Sequence, residues 1–175
     1  MGRPNEHIAL DGEVLVVHAN GQAWTATWHS PDVAPPGTAH GACGWCMTSD
    51  DNVVLISHDE IHWSWPGGRP DSNETWEDTF RREVLEETGC PVFKAILLGF
   101  CRSACQSGPE EGLVLVRSIW RGDVELLPWT PKFEVKWRKV VPVADLLSEI
   151  AMEQGLEPVY RRAMLDAGLL QLSPT

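Results

Sequence analysis

The sequence predicts one α/β domain built on a mixed sheet, and three observations carry that prediction. β-prone runs and helical segments interleave along the chain instead of falling into separate blocks. Two pairs of β-prone runs are joined by short turns, so antiparallel hairpins belong to the sheet. One segment, 76–88, carries a full set of helix start and stop signals. A chain of 175 residues with 43 % hydrophobic content is long enough to bury a core and too apolar to be disordered.

The elements follow in order. Glu13–Ala19 and Gln22–Trp28 flank Asn20-Gly21, a dipeptide suited to a two-residue hairpin turn. Trp24, Ala26 and Trp28 then share one strand face. This hairpin and a Pro/Gly-rich connector, Ser30-Pro31 to Gly37, form an N-terminal part, residues 1–38; the core is 39–175. A second hairpin is expected from His40–Thr48 and Val53–His58, turning at Asp50-Asp51-Asn52. Trp65-Pro66-Gly67-Gly68 interrupts the chain. A helix from Trp76 to Thr88 follows, capped by Thr75 with Asp78 as the reciprocal partner and stopped by Gly89. Phe80 and Val84 form its buried stripe. Further strands are expected at Val92–Cys101, Leu113–Trp120 and Val135–Val141, with a loop at Arg102–Gly112 and an irregular stretch at Gly122–Phe133. Helices at Val143–Met152 and Pro158–Ala167 close the chain.

Charge narrows the partners. The net charge is −11, and no basic run could follow a phosphate backbone, which argues against a nucleic-acid polymer. No apolar run has membrane-spanning length and the first residues lack a signal-peptide core. Five cysteines, an odd number, read as reduced thiols of a cytoplasmic protein. Cys43 and Cys46 have CxxC spacing, but in a strand their side chains point to opposite faces, which favours packing over zinc or redox chemistry.

The segment Gly68–Cys90 carries the chemistry. Glu83, Glu86 and Glu87 stand at i, i+3 and i+4 and share one face of the expected helix. Like charges at that spacing oppose helix formation. Beside a glycine-rich turn they call for a cation, and an oxygen-only ligand set suits Mg²⁺ or Mn²⁺. A small polyphosphate would be repelled by the chain's net charge unless such ions reverse the local field.

The same segment resembles the signature of the Nudix hydrolases, G-x5-E-x7-R-E-U-x-E-E-x-G-U with U a bulky apolar residue. It does so at Gly68, Glu74, Arg82, Glu83, Val84, Glu86, Glu87, Gly89 and Cys90. Cys90 is the one departure, in the place of an aliphatic residue. The resemblance extends over about Gly41–Leu147. It implies a Nudix-type α/β/α sandwich, here with an extra N-terminal hairpin. It implies hydrolysis of a pyrophosphate linkage in a small nucleotide or nucleotide-like diphosphate by water attack at phosphorus, assisted by Mg²⁺ or Mn²⁺. It makes Glu83, Glu86 and Glu87 the metal-binding and catalytic residues, with Glu83 the first choice for general base. Gly68 would offer its carbonyl to the metal. Glu74 and Arg82 would pair to hold the loop against the helix, with Gly67 and Gly89 as backbone supports. Glu134, before an aromatic strand, resembles a late acidic metal ligand of the family, and Glu110 and Glu111 are weaker loop candidates.

Substrate contacts are less marked. Trp65 and Trp129, and with them Trp63, are placed to meet a flat ring. The strand before Gly67-Gly68 lacks the arginines that many members carry, so Arg69, Arg102 and Arg117 remain as candidate phosphate contacts. Cys105 stands where ADP-ribose hydrolases tend to have proline, and Gln106–Gly108 where diadenosine polyphosphate hydrolases tend to have tyrosine. A nucleoside triphosphate or a nucleoside diphosphate joined to another group is therefore expected. A homodimer is compatible with this reading. Two alternatives use the same fold: a catalytically silent module that senses nucleotides or binds protein, and a prenyl diphosphate isomerase.

Overall fold

The computed structural model describes residues 6–171. Among the described residues the strands are β1 (Val14–Ala19), β2 (Gln22–His29), β3 (Thr38–Met47), β4 (Asn52–Ser57), β5 (Gly67–Gly68), β6 (Val92–Ser107), β7 (Val114–Val124) and β8 (Trp137–Pro142). They form one mixed sheet in the order β1-β2-β6-β7-β3-β4-β8, with β5 paired to β3. Backbone packing separates the described residues into two compact units, one of 6–39, 98–117 and 152–171, the other of 40–97 and 118–151. Strands β6 (Val92–Ser107) and β7 (Val114–Val124) contribute to both.

In the first unit, β1 (Val14–Ala19) and β2 (Gln22–His29) pair antiparallel from Val14↔Thr27 to Ala19↔Gln22. Asn20 and Gly21 both have positive φ, 53° and 73°, which matches the right-handed twist of the two strands. Trp28 is fully buried, and the Arg162 guanidinium sits 5.5 Å from its ring centre. Strand β6 runs six residues beyond the expected end at Cys101. The reason is tertiary: Arg102–Ser107 pair with β2, from Thr27↔Arg102 to Ala23↔Ser107. Within that extension Ser103 and Cys105 are buried and Arg102 and Ala104 are half-buried, the alternation of a one-sided strand. Helix α3 (Glu157–Asp166) buries Val159, Tyr160, Ala163 and Met164, and Gly168 ends it with φ 78°.

In the second unit, β3 (Thr38–Met47) and β4 (Asn52–Ser57) form the second hairpin, with Asp51 left-handed at its turn. Strand β8 (Trp137–Pro142) pairs with β4 along its whole length, and β5 (Gly67–Gly68) pairs with Cys43 and Ala42 of β3. Helix α1 (Trp76–Thr88) has the expected limits. Thr75 accepts from the Asp78 N–H while Asp78 accepts from the Thr75 N–H, and Gly89 closes the helix at φ 70°. Phe80 and Val84 are fully buried in a cluster with Ala42, Cys46, Val54, Cys90, Trp120 and Val124, where Phe80 stacks on Trp120 at 5.8 Å.

Two expectations for the later elements are corrected. Strand β7 continues to Val124, where buried Trp120, Gly122 and Val124 alternate with half-buried Arg121 and Asp123. The helix expected at Val143–Met152 is a 3₁₀ turn, Val143–Asp145, followed by the single turn α2, Leu146–Glu149. It lacks a side-chain cap, and at Ile150 the chain turns extended so that Ala151 N–H donates to the Trp63 carbonyl at 2.8 Å. All five cysteines are buried and none is in a disulfide. Burial pushes the Cys46 thiol well above its ordinary range and Cys101 up to about 11, so neither is a ready thiolate. Among the described residues no helix is long and apolar enough to cross a membrane.

Candidate active site

The capping box starts α1 at a defined residue, and this sets the angular position of everything after it. Arg82, Glu83, Glu86 and Glu87 emerge from its middle and last turns, with Glu83 and Glu87 beside the stripe of buried Phe80 and Val84. Facing them is the loop from Gly67 to Glu74, anchored at one end by the β5–β3 pairing. A side chain on Gly67 would place Cβ 2.4 Å from the Ala42 carbonyl oxygen, and one on Gly68 would place it 2.3 Å from Glu83 Oε1. The loop therefore lies directly against the strand on one side and a glutamate on the other.

Arg82 organises the cluster. Its Nε donates to Glu74 Oε1 at 2.6 Å and its Nη2 to Glu74 Oε2 at 3.1 Å, a two-pronged pair of fixed geometry. Nη2 also donates to the Arg69 carbonyl at 2.9 Å. Nη1 reaches Glu83 Oε1 at 3.0 Å and Glu86 Oε2 at 3.2 Å. Glu74 further accepts from the Asp71 N–H and the Thr79 hydroxyl. The Arg82 pair, with these bonds, holds the Glu74 carboxyl down at about 2. Glu87 lies apart from the guanidinium and accepts from the Gly67 N–H at 2.8 Å.

The electrostatics of the face are unbalanced. Burial pushes the Glu87 carboxyl up to about 8 against the pull of the Gly67 N–H, and the charges of Glu83, Glu134 and Glu86 raise it further. Burial also raises Glu83, partly offset by Arg82, with Glu86 and Glu134 pushing the same way as burial. Asp71, Glu74, Glu83 and Glu86 thus share the Arg82 guanidinium, while the charges of Glu87 and Glu134 add to the same face. As the side chains stand, Glu83 and Glu86 turn toward Arg82, and among the described residues no three carboxylate, imidazole or thiol groups converge on one cation position. The donor chemistry nevertheless fits a hard divalent cation. The groups are all oxygen, they crowd one another, and an added cation would relieve that repulsion.

The other expected residues are dispersed. Trp129 stands beside Gly89, with its Cδ1 only 2.8 Å from where a Cβ would lie, and the Arg138 guanidinium is 5.6 Å from its ring centre. Trp65 packs 4.7 Å from the ring of buried Trp45, and Trp63 lies 4.7 Å from the Lys139 ammonium. Arg69 is exposed, and its backbone is what the cluster uses. Arg102 belongs to the first unit, where its Nε donates to the Pro36 carbonyl. Arg117 lies there too. Glu110 is held in that unit by Gln22, whose Nε2 donates to it at 2.7 Å. Sequence reasoning missed Asp71, Arg138, Lys132 and Phe133. Only Arg138, a cation in a half-buried strand, carried a local signal.

The NUDIX domain family model matches residues 38–163, so the chain belongs to that family and is a Nudix hydrolase. Among solved structures it is similar to the pyrophosphohydrolase BsRppH of Bacillus subtilis, at 22 % identity and TM-score 0.65, over 83 % of this chain and 90 % of that one. It is also similar to a NUDIX hydrolase from Nitrosomonas europaea, at 19 % identity and TM-score 0.55, over 79 % and 98 %. A third likeness is to a putative nudix hydrolase family member from Chromobacterium violaceum, at 18 % and 0.51, over 76 % and 81 %. At these identities the likeness concerns the fold. A search of curated proteins gave no match.

The perturbed carboxyls predict a pH dependence of stability. Glu87 in the fold titrates near 8 against an ordinary value of 4.5. Between those values the native state holds a proton that the unfolded chain has lost. The stability this confers is therefore complete below about 4.5 and is lost as pH rises through about 8. At about 1.4 kcal/mol per unit the loss amounts to a few kcal/mol. Tm of metal-stripped protein should fall steadily from pH 5 to pH 9, and Glu87→Gln should flatten that fall. Glu74 acts at the other end: its depressed carboxyl stabilises the fold above its unfolded value, and that is lost as pH drops toward 2.

Proposed function

We propose that this chain hydrolyses a pyrophosphate linkage in a small nucleotide, a nucleoside triphosphate or a nucleoside diphosphate joined to another group, with the help of Mg²⁺ or Mn²⁺. The observation that carries this reading is the surplus of carboxylates on one face of α1, pressed against Gly67-Gly68 and served by a single guanidinium. Glu83, Glu86 and Glu87 would hold the cation, with the Gly68 carbonyl and Glu134 as further oxygen donors. When bound, the cation supplies charge neutralisation at the phosphate oxygens and a lowered pKa for water. The chain's own residues do the rest. Glu74 and Arg82 hold loop and helix together, and the Gly67 N–H orients Glu87. Glu83 would take the proton of the attacking water, a role that its carboxyl, raised by burial, supports. Buried thiols without a disulfide support a cytoplasmic setting.

The test is a panel of nucleoside triphosphates, nucleotide sugars and dinucleoside polyphosphates with Mg²⁺ or Mn²⁺, read by phosphate and pyrophosphate release. Turnover that EDTA abolishes is the expected result, and hydrolysis in ¹⁸O-labelled water identifies the phosphorus attacked. Nucleotide binding with no turnover under either metal would replace this reading by the silent sensing module.

A further inference from the structure

Beside the acidic face, the loop between β7 and β8 forms with the last turn of α1 a half-open cavity of about 480 Å³. Its lining includes Leu85, Glu86, Gly89, Trp129, Lys132 and Phe133. That volume lies within the range of small-molecule sites, about 300–1,000 Å³. Resting on the hydrolase reading above, we infer that this cavity is the base pocket: Trp129 and Phe133 stack the aromatic ring of the nucleotide while its phosphates lie toward Glu86 and the other carboxylates.

Three features select this occupant. The first is the combination of surfaces. Leu85 and Phe133 are each about half exposed, 51 % and 50 %, and with the Trp129 indole they offer flat apolar area to a ring. The same cavity includes Lys132, whose ammonium suits an anionic end, and it borders Glu86 of the acidic face, where a bound cation would draw phosphates. A flat ring joined to phosphates meets both demands, whereas an acyl chain meets only the first.

The second feature is preorganisation. Gly89 ends α1 without a side chain, and the indole fills the space beside it. Arg138 lies over the indole while its Nη1 donates to the Thr88 carbonyl at 2.8 Å and to the Leu127 carbonyl at 2.9 Å. One guanidinium therefore ties the loop, the helix end and the ring together. Farther along, the Lys136 ammonium donates to the Phe133 carbonyl. A ring already held in place costs little entropy to stack against.

The third feature is where the cavity begins. Glu86 lines it and also accepts from Arg82 at 3.2 Å, so the cavity opens directly from the carboxylate cluster. Stacking without dedicated base-edge partners tolerates any base. The four common ribonucleoside triphosphates should accordingly be cleaved with kcat/KM values within about tenfold of one another, and inorganic tripolyphosphate more poorly than any of them.

The experiment compares wild type, Phe133→Ala, Trp129→Ala and Trp129→Phe on ATP, GTP, CTP, UTP and tripolyphosphate with Mn²⁺. Phe133→Ala should raise KM for the nucleotides by about tenfold or more, with kcat and tripolyphosphate cleavage unchanged. Trp129→Ala should act in the same direction and Trp129→Phe should restore most of the affinity. Unchanged nucleotide KM in Phe133→Ala, or an equal rise for tripolyphosphate, would overturn the pocket and leave the hydrolase reading intact. If wild type cleaves none of these substrates, the hydrolase reading stands or falls on the nucleotide sugars and dinucleoside polyphosphates of the wider panel, and calorimetric titration with ATP decides the pocket. Weaker binding in Phe133→Ala supports it; equal binding, or no binding by wild type, overturns it.

Discussion

Glu83→Gln should lower kcat for nucleotide hydrolysis by about two to four orders of magnitude, the range for loss of a positioned general base. The side chain is 14 % exposed and sits so close to Gly68 that no Cβ fits between them. Glutamine has the same shape, and its Oε1 can still accept from Arg82 Nη1, so the fold should survive. Removing a carboxyl that burial and its neighbours already disfavour in its charged form should leave Tm of the metal-free protein unchanged or higher. It should also shrink the rise in Tm that Mg²⁺ or Mn²⁺ produces, since a ligand that binds only the native state stabilises in proportion to its affinity. Glu77→Gln on the same helix is the control. Its carboxylate is 47 % exposed and pairs with Arg81, so the change should leave kcat untouched and stability nearly so. Full turnover in Glu83→Gln would remove Glu83 from the chemistry.

The largest structural effect is expected at Gly44. A Cβ there would lie 1.9 Å from the Trp120 carbonyl oxygen and 2.6 Å from its carbonyl carbon. Both are backbone atoms of the neighbouring strand β7, so no rotamer change relieves the clash and the ladder between β3 and β7 would have to part. Trp120 also stacks on Phe80 beneath α1, so the disturbance would reach the helix that carries the glutamates. Gly44→Ala should cost about 4 kcal/mol or more, a large share of the 5–15 kcal/mol typical of a domain. Urea unfolding and amide dispersion by NMR would show the loss. Gly112→Ala is the contrast. It has positive φ but nothing within 4 Å, so only backbone strain of about 1–2 kcal/mol applies. Similar costs at the two sites would show that β3 and β7 are not packed as described.

How far the site was legible depends on how far apart its partners lie in sequence. Helix α1 was readable to the residue because Thr75, Asp78 and Gly89 act on backbone groups a few positions away. The shared face of Glu83, Glu86 and Glu87 follows from helical spacing alone. That spacing also puts Glu86 within reach of Arg82 at i+4, but it could not say that Nε and Nη2 would fork onto Glu74, since that depends on where the loop places Glu74. The extension of β6 was hidden for a similar reason. Arg102–Ser107 is a polar stretch that becomes a strand through partners in β2, far earlier in the chain. The helix after β8 was overestimated because its end is set by a backbone bond from Ala151 to Trp63.

The sequence by itself therefore determined the family, the extent of the acidic helix and the supply of oxygen donors along it. These rest on short-range hydrogen bonding and on side-chain periodicity. Tertiary structure alone decided that Arg82 also ties to the Arg69 carbonyl, that Glu87 is held by the Gly67 N–H with a carboxyl raised to about 8, and that Trp129 stands beside Gly89 under Arg138. Desolvation and long-range contact set those features, and neither is encoded by any window of neighbouring residues.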